Sequence, residues 1–403
     1  MANPPLMDMD DVFTFERIRF LDWDGSGITG IVYLLPHGGA TVYLNRCGNS
    51  WSESTSLPPC PRIEHLSTVF TLDILSKGTS CLCWTRPDVG GEPVIHYLDL
   101  MEAEKPHLLT LFTNGMGLET RVSYRLSIKF YLHDERIGRP WTTKLPFPVH
   151  VVSKVMVHDK FSLSSRITKY AYHDGFFDGH DKEFRGFAMV EIWERDEFQL
   201  TTGEIKRYKR PVHHKKIWFH TGSTELPSIP QGHLRHPWFK QHAARALKGK
   251  ELRVEDYGLD GSPTAAIPYS ITDSTYDVVI LLPPMERRQP GVFRVSSKEV
   301  VISTYERQTQ NPRIEHEMTL ARSEYGDATK TVKVFFGRTL DASQGTRIDQ
   351  LQSETRVVYT EKDYTNPVET AADFYKPRLA SSKTAQIIAL QLTEIVDIQA
   401  VRN

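Results

Sequence analysis

The segment 170–194 limits the fold of this chain most strongly, because it places two Asp-Gly pairs between two alternating apolar segments. The pairs lie at 174–175 and 178–179, four residues apart. Asp-Gly supplies the positive-φ residues that tight reversals need, so both pairs predict turns. The flanking segments 166–172 and 184–193 alternate with period two and predict strands. This part of the chain is therefore expected to be β-structure.

The predicted strand at 184–193 carries apolar side chains on both of its faces. One face consists only of apolar residues, namely Phe184, Gly186, Ala188, Val190 and Ile192. The other face mixes apolar and charged residues, namely Arg185, Phe187, Met189, Glu191 and Trp193. Neither face is polar enough for simple exposure to water, so the strand is expected to be covered on both sides.

Polar residues crowd the same turns and suggest chemistry as an alternative to architecture. They are His173, Asp178, His180, Asp181 and Glu183. These residues could converge as a metal site or an acid–base site, and carboxylates between Asp178 and Glu183 could serve a hydrolase. A pH-responsive role for the histidines is a further alternative. Acidic residues beside glycine are more often turn formers, and the sequence alone leaves these alternatives open.

Composition and motifs argue against several other classes of protein. The net charge is −1, and the one basic run, 204–218, is offset by acidic residues elsewhere, so we expect no nucleic-acid partner. No segment approaches the roughly 20 apolar residues of a membrane span, and the first residues lack a secretory signal. The spacing of Cys81 and Cys83 is poor for a metal and predicts buried free thiols. No cofactor motif is found.

Residues 21–45 and 72–99 repeat one another with a period of 51 residues. The segment LDWDGSGITGIVY (21–33) aligns without a gap on LDILSKGTSCLCW (72–84), and TVYLN (41–45) corresponds to IHYLD (95–99). Short strands separated by glycine, asparagine or proline turns at this period suit β-propeller blades. Two blades do not close a ring, so the sequence predicts only part of a propeller.

The first copy of the repeat holds a weak calcium candidate. Asp22, Asp24 and Ser26 present alternating side-chain oxygens in a glycine-bent loop, which suits a hard cation. The second copy keeps Asp73 but has Leu75 at the place of Asp24. A self-bonded Asx turn is the alternative explanation.

From residue 105 onward the repeat ends and longer strands are predicted. The predicted strands cover 118–126, 147–157, 166–172, 184–193, 212–219, 251–257, 276–282, 300–307, 314–323, 330–336 and 356–360. The segments 147–157, 166–172 and 184–193 should form an antiparallel meander. The one predicted helix lies at 238–247, with Gly249 as its stop. The last stretch, 384–401, is compatible with a helix or with two strands.

These motifs together resemble the B component of the bacterial insecticidal toxin complexes (Tc toxins) of the TcdB/TcaC type, a family related to SpvB and to Rhs/YD-repeat proteins. Besides the two repeat copies, the matching pieces include YLDLMEAEKPHLLTLFTNGMGLETRVSY (97–124), KFYLHDERIGRPWTTKLPFPVHVV (129–152), KIWFHTG (216–222), RALKGKELRVEDYGLDG (245–261), YERQTQNPRIEHEMTL (305–320) and YTEKDYTN (359–366). They occur in the family's order over nearly the whole chain.

The resemblance implies a mostly β protein with a structural, non-enzymatic role. It implies that 1–105 form the last blades of a β-propeller, followed over 106–403 by an Rhs/YD-like antiparallel shell segment with one short helix. In that family the B and C components enclose a toxic polypeptide. The implied partners are therefore a C-type (Rhs) toxin component and, through a complete propeller, an A-type channel component. Direct membrane insertion is not implied.

The resemblance also implies a location and a departure. The complex is expected outside the cell, reached without a signal peptide and after a stage in the cytoplasm. Family B components are much longer, so the chain is expected to be a truncated piece whose propeller cannot close alone. A propeller-based glycan or protein binding module and a hydrolase are the alternative functions.

Overall fold

In a computed structural model of the chain, the structure describes residues 4–5, 15–35, 38–57, 68–86, 94–101, 105–143, 145–202, 204–223, 237–283, 291–338, 352–370 and 372–387. Within these ranges the chain is mostly β, as predicted. The described chain forms two compact units. Unit 1 comprises 1–113, 121–133 and 146–153, and unit 2 comprises 114–120, 134–145 and 154–403.

Short strands characterise the first part of the chain, after a 3-10 helix at Phe15–Arg17. They are β1 (Ile18–Leu21), β2 (Gly30–Leu34), β3 (Ala40–Tyr43), β4 (Asn45–Arg46), β5 (Ser50–Trp51), β6 (Thr55–Ser56), β7 (Thr68–Leu72), β8 (Cys81–Arg86), β9 (Val94–Leu98) and β10 (Leu111–Thr113).

Longer strands dominate the rest of the chain, with two helices among them. In chain order the elements are β11 (Leu118–Leu126), α1 (Ser127–Arg136), β12 (His150–Asp159), β13 (Ser164–Asp178), β14 (Glu183–Thr202), β15 (Glu204–Lys209), β16 (Val212–Phe219), α2 (Pro237–Ala246), β17 (Glu251–Leu259), β18 (Ser270–Leu282), β19 (Val292–Thr304), β20 (Arg313–Arg322), β21 (Ala328–Phe335), β22 (Arg356–Tyr364), β23 (Val368–Glu369), β24 (Phe374–Tyr375) and β25 (Leu379–Ile387).

The two copies of the sequence repeat fold alike in unit 1. Strands β1, β2 and β3 form an antiparallel sheet with β6, and β7, β8 and β9 form a second sheet. Leu21 pairs with Gly30 in the first sheet, and Leu72 pairs with Cys81 in the second, so the register repeats after the same 51 residues. One apolar cluster joins side chains of both sheets, with Val32 and Leu82 fully buried.

Unit 2 carries most of a 14-stranded antiparallel sheet. From β12 onward its strands follow the order β12-β13-β14-β16-β17-β18-β19-β20-β21-β22-β25, while β15 pairs with β14 outside this path. The predicted meander is confirmed, because β13 pairs antiparallel with both β12 and β14. A small core in β20, β21 and β22 contains Met318, Val332, Val334 and Val357.

All eleven strands predicted between 118 and 360 form, and most are longer than predicted. The helix predicted at 238–247 also forms, as α2. The expectation of a single short helix was wrong, because Ser127–Arg136 forms α1. Of the ambiguous stretch 384–401, the part up to Ile387 belongs to β25, and 388–401 lie outside the described residues.

The turn predicted at 174–175 was also wrong. Asp174 and Gly175 lie inside β13, where the pairing with β14 shifts register between Gly175 and Phe177. Asp174 has φ +52°, so its left-handed conformation serves a β-bulge rather than a chain reversal. The reversal occurs only at the second pair, where Asp178 pairs with Glu183.

Candidate functional site

The reversal between β13 and β14 is built around the buried guanidinium of Arg185. The side chain of Arg185 is 0% exposed and lies between three carboxylates. Its Nη2 atom lies 3.0 Å from Asp178 Oδ2 and 2.7 Å from Asp181 Oδ2, and its Nε atom lies 3.3 Å from Glu183 Oε2. Its Nη1 atom donates to the carbonyl of Gly222 at 2.9 Å. We call these residues the Arg185 corner.

The carboxylates of the Arg185 corner are also bonded to other groups. Asp178 Oδ1 accepts the backbone N–H groups of His180 and Asp181, both at 2.9 Å. Lys248 Nζ donates to Glu183 Oε1 at 2.7 Å, and this bond is the main cause that lowers the pKa of Glu183. Each carboxylate therefore pairs with a cation or closes the turn, an arrangement that fixes these side chains in place.

His173 does not join the corner but belongs to a separate buried cluster in unit 2. Its Nδ1 atom lies 2.6 Å from Asp134 Oδ2, and its Nε2 atom lies 3.4 Å from Glu191 Oε1. The other Glu191 oxygen, Oε2, lies 2.6 Å from His214 Nε2. Trp141 Nε1 donates to Asp134 Oδ2 at 2.6 Å. We call these five residues the His173 cluster.

The electrostatics of the His173 cluster favour the charged forms of Glu191 and His173. Burial acts to raise the pKa of Glu191, but its bonds to His173 and His214 outweigh burial, and the net pKa is lowered. Burial acts to lower the pKa of His173, but the carboxylates of Glu191 and Asp134 reverse that effect and leave it raised. Trp193 stacks on the His214 ring with centroids 4.8 Å apart, which excludes water from that side.

The five polar residues proposed as one metal or acid–base site thus fall into two groups. His173 faces Asp134 and Glu191, whereas Asp178, Asp181 and Glu183 surround Arg185. His180 is exposed and lies 3.2 Å from Asp181. Within the described ranges, no group of three or more histidine, cysteine or acidic side chains is placed to hold a metal ion.

The calcium candidate in unit 1 has the hydrogen bonds of an Asx turn. Asp22 accepts the N–H groups of Ser26 and Gly27 at 3.0 and 2.8 Å, and Asp24 accepts the N–H of Ser26 at 3.0 Å. In the second copy, Asp73 accepts the N–H groups of Lys77 and Gly78 at 2.8 and 2.7 Å. The two loops therefore have the same backbone scaffold, although only the first has a second carboxylate.

The predicted buried thiols are present. Cys81 and Cys83 are buried and free, and burial raises the pKa of Cys81 to about 11. Cys47 is also free but is exposed.

The described lysines of the basic run 204–218 lie near acidic side chains. Lys209 lies 3.9 Å from Glu197, and Lys215 lies 3.6 Å from Asp256. These described cations face acidic neighbours, which fits a folded strand better than a nucleic-acid surface.

Sequence reasoning missed Arg185 as the centre of the corner and Asp134 and Trp141 as members of the His173 cluster. Arg185 did offer a signal, because it is a lone cation in a strand that is apolar on both faces. Asp134 and Trp141 offered none, since they lie more than thirty residues before His173 in the chain. Among the described residues, no helix is long and apolar enough to span a membrane.

Two family models, both of regions of the same toxin, match this chain. Residues 61–222 match the family model of the insecticide toxin TcdB middle/N-terminal region, and residues 242–374 match that of the insecticide toxin TcdB middle/C-terminal region. The two regions follow one another in the order of their names. No curated protein sequence matches the chain.

Solved structures show the same fold. The crystal structure of TcdB2-TccC3 matches with a TM-score of 0.81 at 23% identity, over 99% of this chain and 21% of that chain. A Photorhabdus luminescens Tc holotoxin pore matches with a TM-score of 0.76 at 24% identity, over 92% of this chain and 19% of that chain. The chain thus spans about a fifth of the length of the structures it matches.

Proposed function

The chain belongs to the insecticide toxin TcdB family, and from this premise we propose that it is a structural part of a toxin complex. It contributes one segment of the shell that encloses a toxic partner polypeptide, and it is not an enzyme. The observation that carries this proposal is the pair of family matches, in order, on a chain whose larger unit is a continuous antiparallel sheet. In this proposal the sheet forms one wall of the shell.

In this proposal the two parts of the chain have different tasks. Residues 1–105 are the last blades of a β-propeller, and 106–403 are the Rhs/YD-like wall that follows. The support for blades is the repeated three-strand pattern with one register in β1–β3 and β7–β9. The support for a wall is the unbroken strand order from β12 to β22.

The proposed partners follow from the family and from the solved relatives. A C-type (Rhs) component supplies the enclosed toxin, and an A-type channel component docks on the propeller when the propeller is complete. The solved relatives are TcdB2 with TccC3 and a Tc holotoxin pore. The complex acts outside the cell, so we infer that the chain is secreted with it after a cytoplasmic stage.

A hydrolase at Asp178–Glu183 is the weaker alternative, because a general acid or nucleophile needs a carboxylate that is free to reach a substrate. Two of these carboxylates contact the fully buried Arg185 closely, and the third, Glu183, is bonded to Lys248. Their arrangement therefore supports a closed turn. Among the described residues, no contact or cluster specifically favours the alternative of a glycan or protein binding module.

Co-expression of the chain with a C-type toxin component tests the proposal. We expect the two polypeptides to co-purify, and negative-stain images to show particles larger than the chain alone. An unrelated unfolded polypeptide of equal length is the control and should not co-purify. A compact monomer that never associates with the C-type component would contradict the proposal. The Asp178→Asn and Glu183→Gln variants should associate as the wild type does whenever they fold.

A further inference from the structure

Residues 134–143 lie over the bulge of β13 as a strap within unit 2. Thr142 donates its N–H and its hydroxyl to Asp174 Oδ1, at 2.7 and 3.0 Å. Thr143 donates its hydroxyl to the carbonyl of Gly175 at 2.7 Å. Trp141 is buried, and its ring packs edge-on against Phe187 with centroids 6.0 Å apart. The strap begins with the last residues of α1, and beyond Arg136 it is held on the sheet by these few specific contacts.

The only described ion pair that fastens the strap to the sheet involves Asp134. Its side chain is 3% exposed, and one of its oxygens faces both Trp141 Nε1 and His173 Nδ1. A carboxylate this deeply buried is costly without a cation beside it. His173 is the titratable group in a position to supply that cation, because one of its ring nitrogens faces Asp134. Its other ring nitrogen faces a second carboxylate, Glu191.

Charged and titratable groups on β14, β16 and β17 surround the cluster, and among the described residues His173 is the one that forms an ion pair with Asp134. On β14 Glu191 faces His173, and on β16 His214 and Lys216 act on Glu191. On β17 Tyr257 lies beside His214, with ring centroids 5.7 Å apart, and its hydroxyl donates to Glu255. Lys216 lies over the ring of Tyr257 and acts electrostatically on Glu191. When the His173 imidazole is neutral, the buried Asp134 has no other ion-pair partner among the described residues.

We propose that the His173 cluster is a pH-sensitive latch, in which protonated His173 holds the strap 134–143 on the sheet and deprotonated His173 releases it. On release the proton passes to solvent, and the Nδ1 contact loses its ionic character. The buried Asp134 then gains hydration only if the strap lifts. The strap thus closes in acid to neutral solution and opens as the solution becomes alkaline.

The direction follows from linkage. A histidine whose pKa is higher in the folded than in the unfolded state stabilises the fold fully below the unfolded value. That contribution is lost as the pH rises through the folded pKa, and the folded pKa of His173 is raised by Glu191 and Asp134. Glu191 has a lowered pKa, so its contribution is present above its unfolded pKa and is lost as the pH falls from there through the folded pKa, away from the alkaline side. The latch therefore opens on the alkaline side.

Hydrogen exchange measured by mass spectrometry tests the latch. The measured quantity is the protection factor of peptides from 136–143, corrected for the intrinsic pH dependence of exchange. Between about pH 5.5 and about pH 9, on either side of the ordinary imidazole pKa, we expect protection to fall on the order of tenfold. Peptides from β20 should keep their protection over the same range.

Variants separate the latch from general instability. His173→Gln should have low protection of the strap at both pH values and no pH dependence. Asp134→Asn, which keeps an acceptor for Trp141 but removes the buried charge, should lose the pH dependence of the protection. His213→Gln is the matched control: this neighbouring histidine is paired with Asp256, so the wild-type pH dependence should persist. Unchanged protection of the wild-type strap across the range, or a persisting pH dependence in His173→Gln, would overturn the proposal.

Discussion

At the scale of single residues, burial and charge decide which polar groups organise the fold. Arg185 is fully buried and serves three carboxylates, while Arg245 is partly exposed and only approaches one of them, Asp181, at 3.5 Å. A buried cation leaves its partners uncompensated when it is removed, whereas an exposed cation is replaced by water. Arg185 and Arg245 should therefore differ sharply in their contribution to stability.

Replacing Arg185 with methionine tests this difference. Because the carboxylates of Asp178 and Asp181 would lose their buried cation, we expect Arg185→Met to lower the free energy of unfolding by about 3–5 kcal/mol. Arg245→Met should cost at most about 1 kcal/mol. Urea unfolding followed by tryptophan fluorescence measures both. Equal effects of the two substitutions would show that the corner does not depend on burial.

The repeated loops of unit 1 allow a second residue-scale prediction. Asp22 and Asp73 each accept two backbone N–H groups, so Asp22→Ala and Asp73→Ala should each cost about 1–2 kcal/mol of unfolding free energy.

Calcium binding is a separate question for the first loop. Only this loop is a calcium candidate, because Asp24 is replaced by Leu75 in the second loop. We expect isothermal titration with calcium to give no heat. Heat that Asp24→Ala abolishes would establish a calcium site.

At the scale of elements, the bulge in β13 explains how a strand accommodates an Asp-Gly pair. Asp174 adopts φ +52° without ending the strand, and its carboxylate holds the strap through Thr142. Asparagine and aspartate tolerate the left-handed region better than other residues that carry a Cβ atom. The bulge therefore depends on both the backbone preference and the acceptor of this side chain.

Substitutions at Asp174 separate these two contributions. Asp174→Ala loses the acceptor and also strains the backbone, so we expect a loss of about 2–3 kcal/mol in unfolding free energy. Asp174→Asn keeps both properties and should cost less than about 1 kcal/mol. Thermal melting of the two variants compares them. A smaller loss for alanine than for asparagine would contradict the assigned role of the bulge.

The sequence predicted the strands of this chain well, because period-two alternation survives wherever one strand pairs with the next. It misplaced a turn at 174–175, since an Asp-Gly pair satisfies a bulge as readily as a reversal. It missed α1, whose aromatic residues Phe130 and Tyr131 also favour strands. Gly138, just past the end of α1 with φ +78°, was a usable stop signal. The His173 cluster could not be predicted, because its members lie on four separate segments.

At the scale of the whole molecule, the two units have separate apolar cores. The core of unit 1 includes Val32 and Leu82, and the small core of unit 2 includes Met318 and Val332. Each cluster is made of its own described residues, and local opening follows the contacts within each region. We therefore expect the two units to have different free energies of local unfolding.

Core truncations test this independence. Leu82→Ala and Met318→Ala each remove a fully buried side chain and should cost about 2–5 kcal/mol in the unit concerned. Hydrogen exchange should accelerate mainly in β2 and β8 for Leu82→Ala, and mainly in β20 and β21 for Met318→Ala. Equal acceleration in both regions for either variant would show that the chain unfolds as one cooperative body.

The strand order of unit 2 has a consequence for how the protein is made. From β17 to β22 each strand pairs with the one synthesised immediately before it. Loops between such neighbours close at a small entropic cost, which favours early pairing. A ribosome could therefore extrude this wall strand by strand, with each new strand covering the open edge left by its predecessor. Until the next strand emerges, that edge is the site most exposed to aggregation.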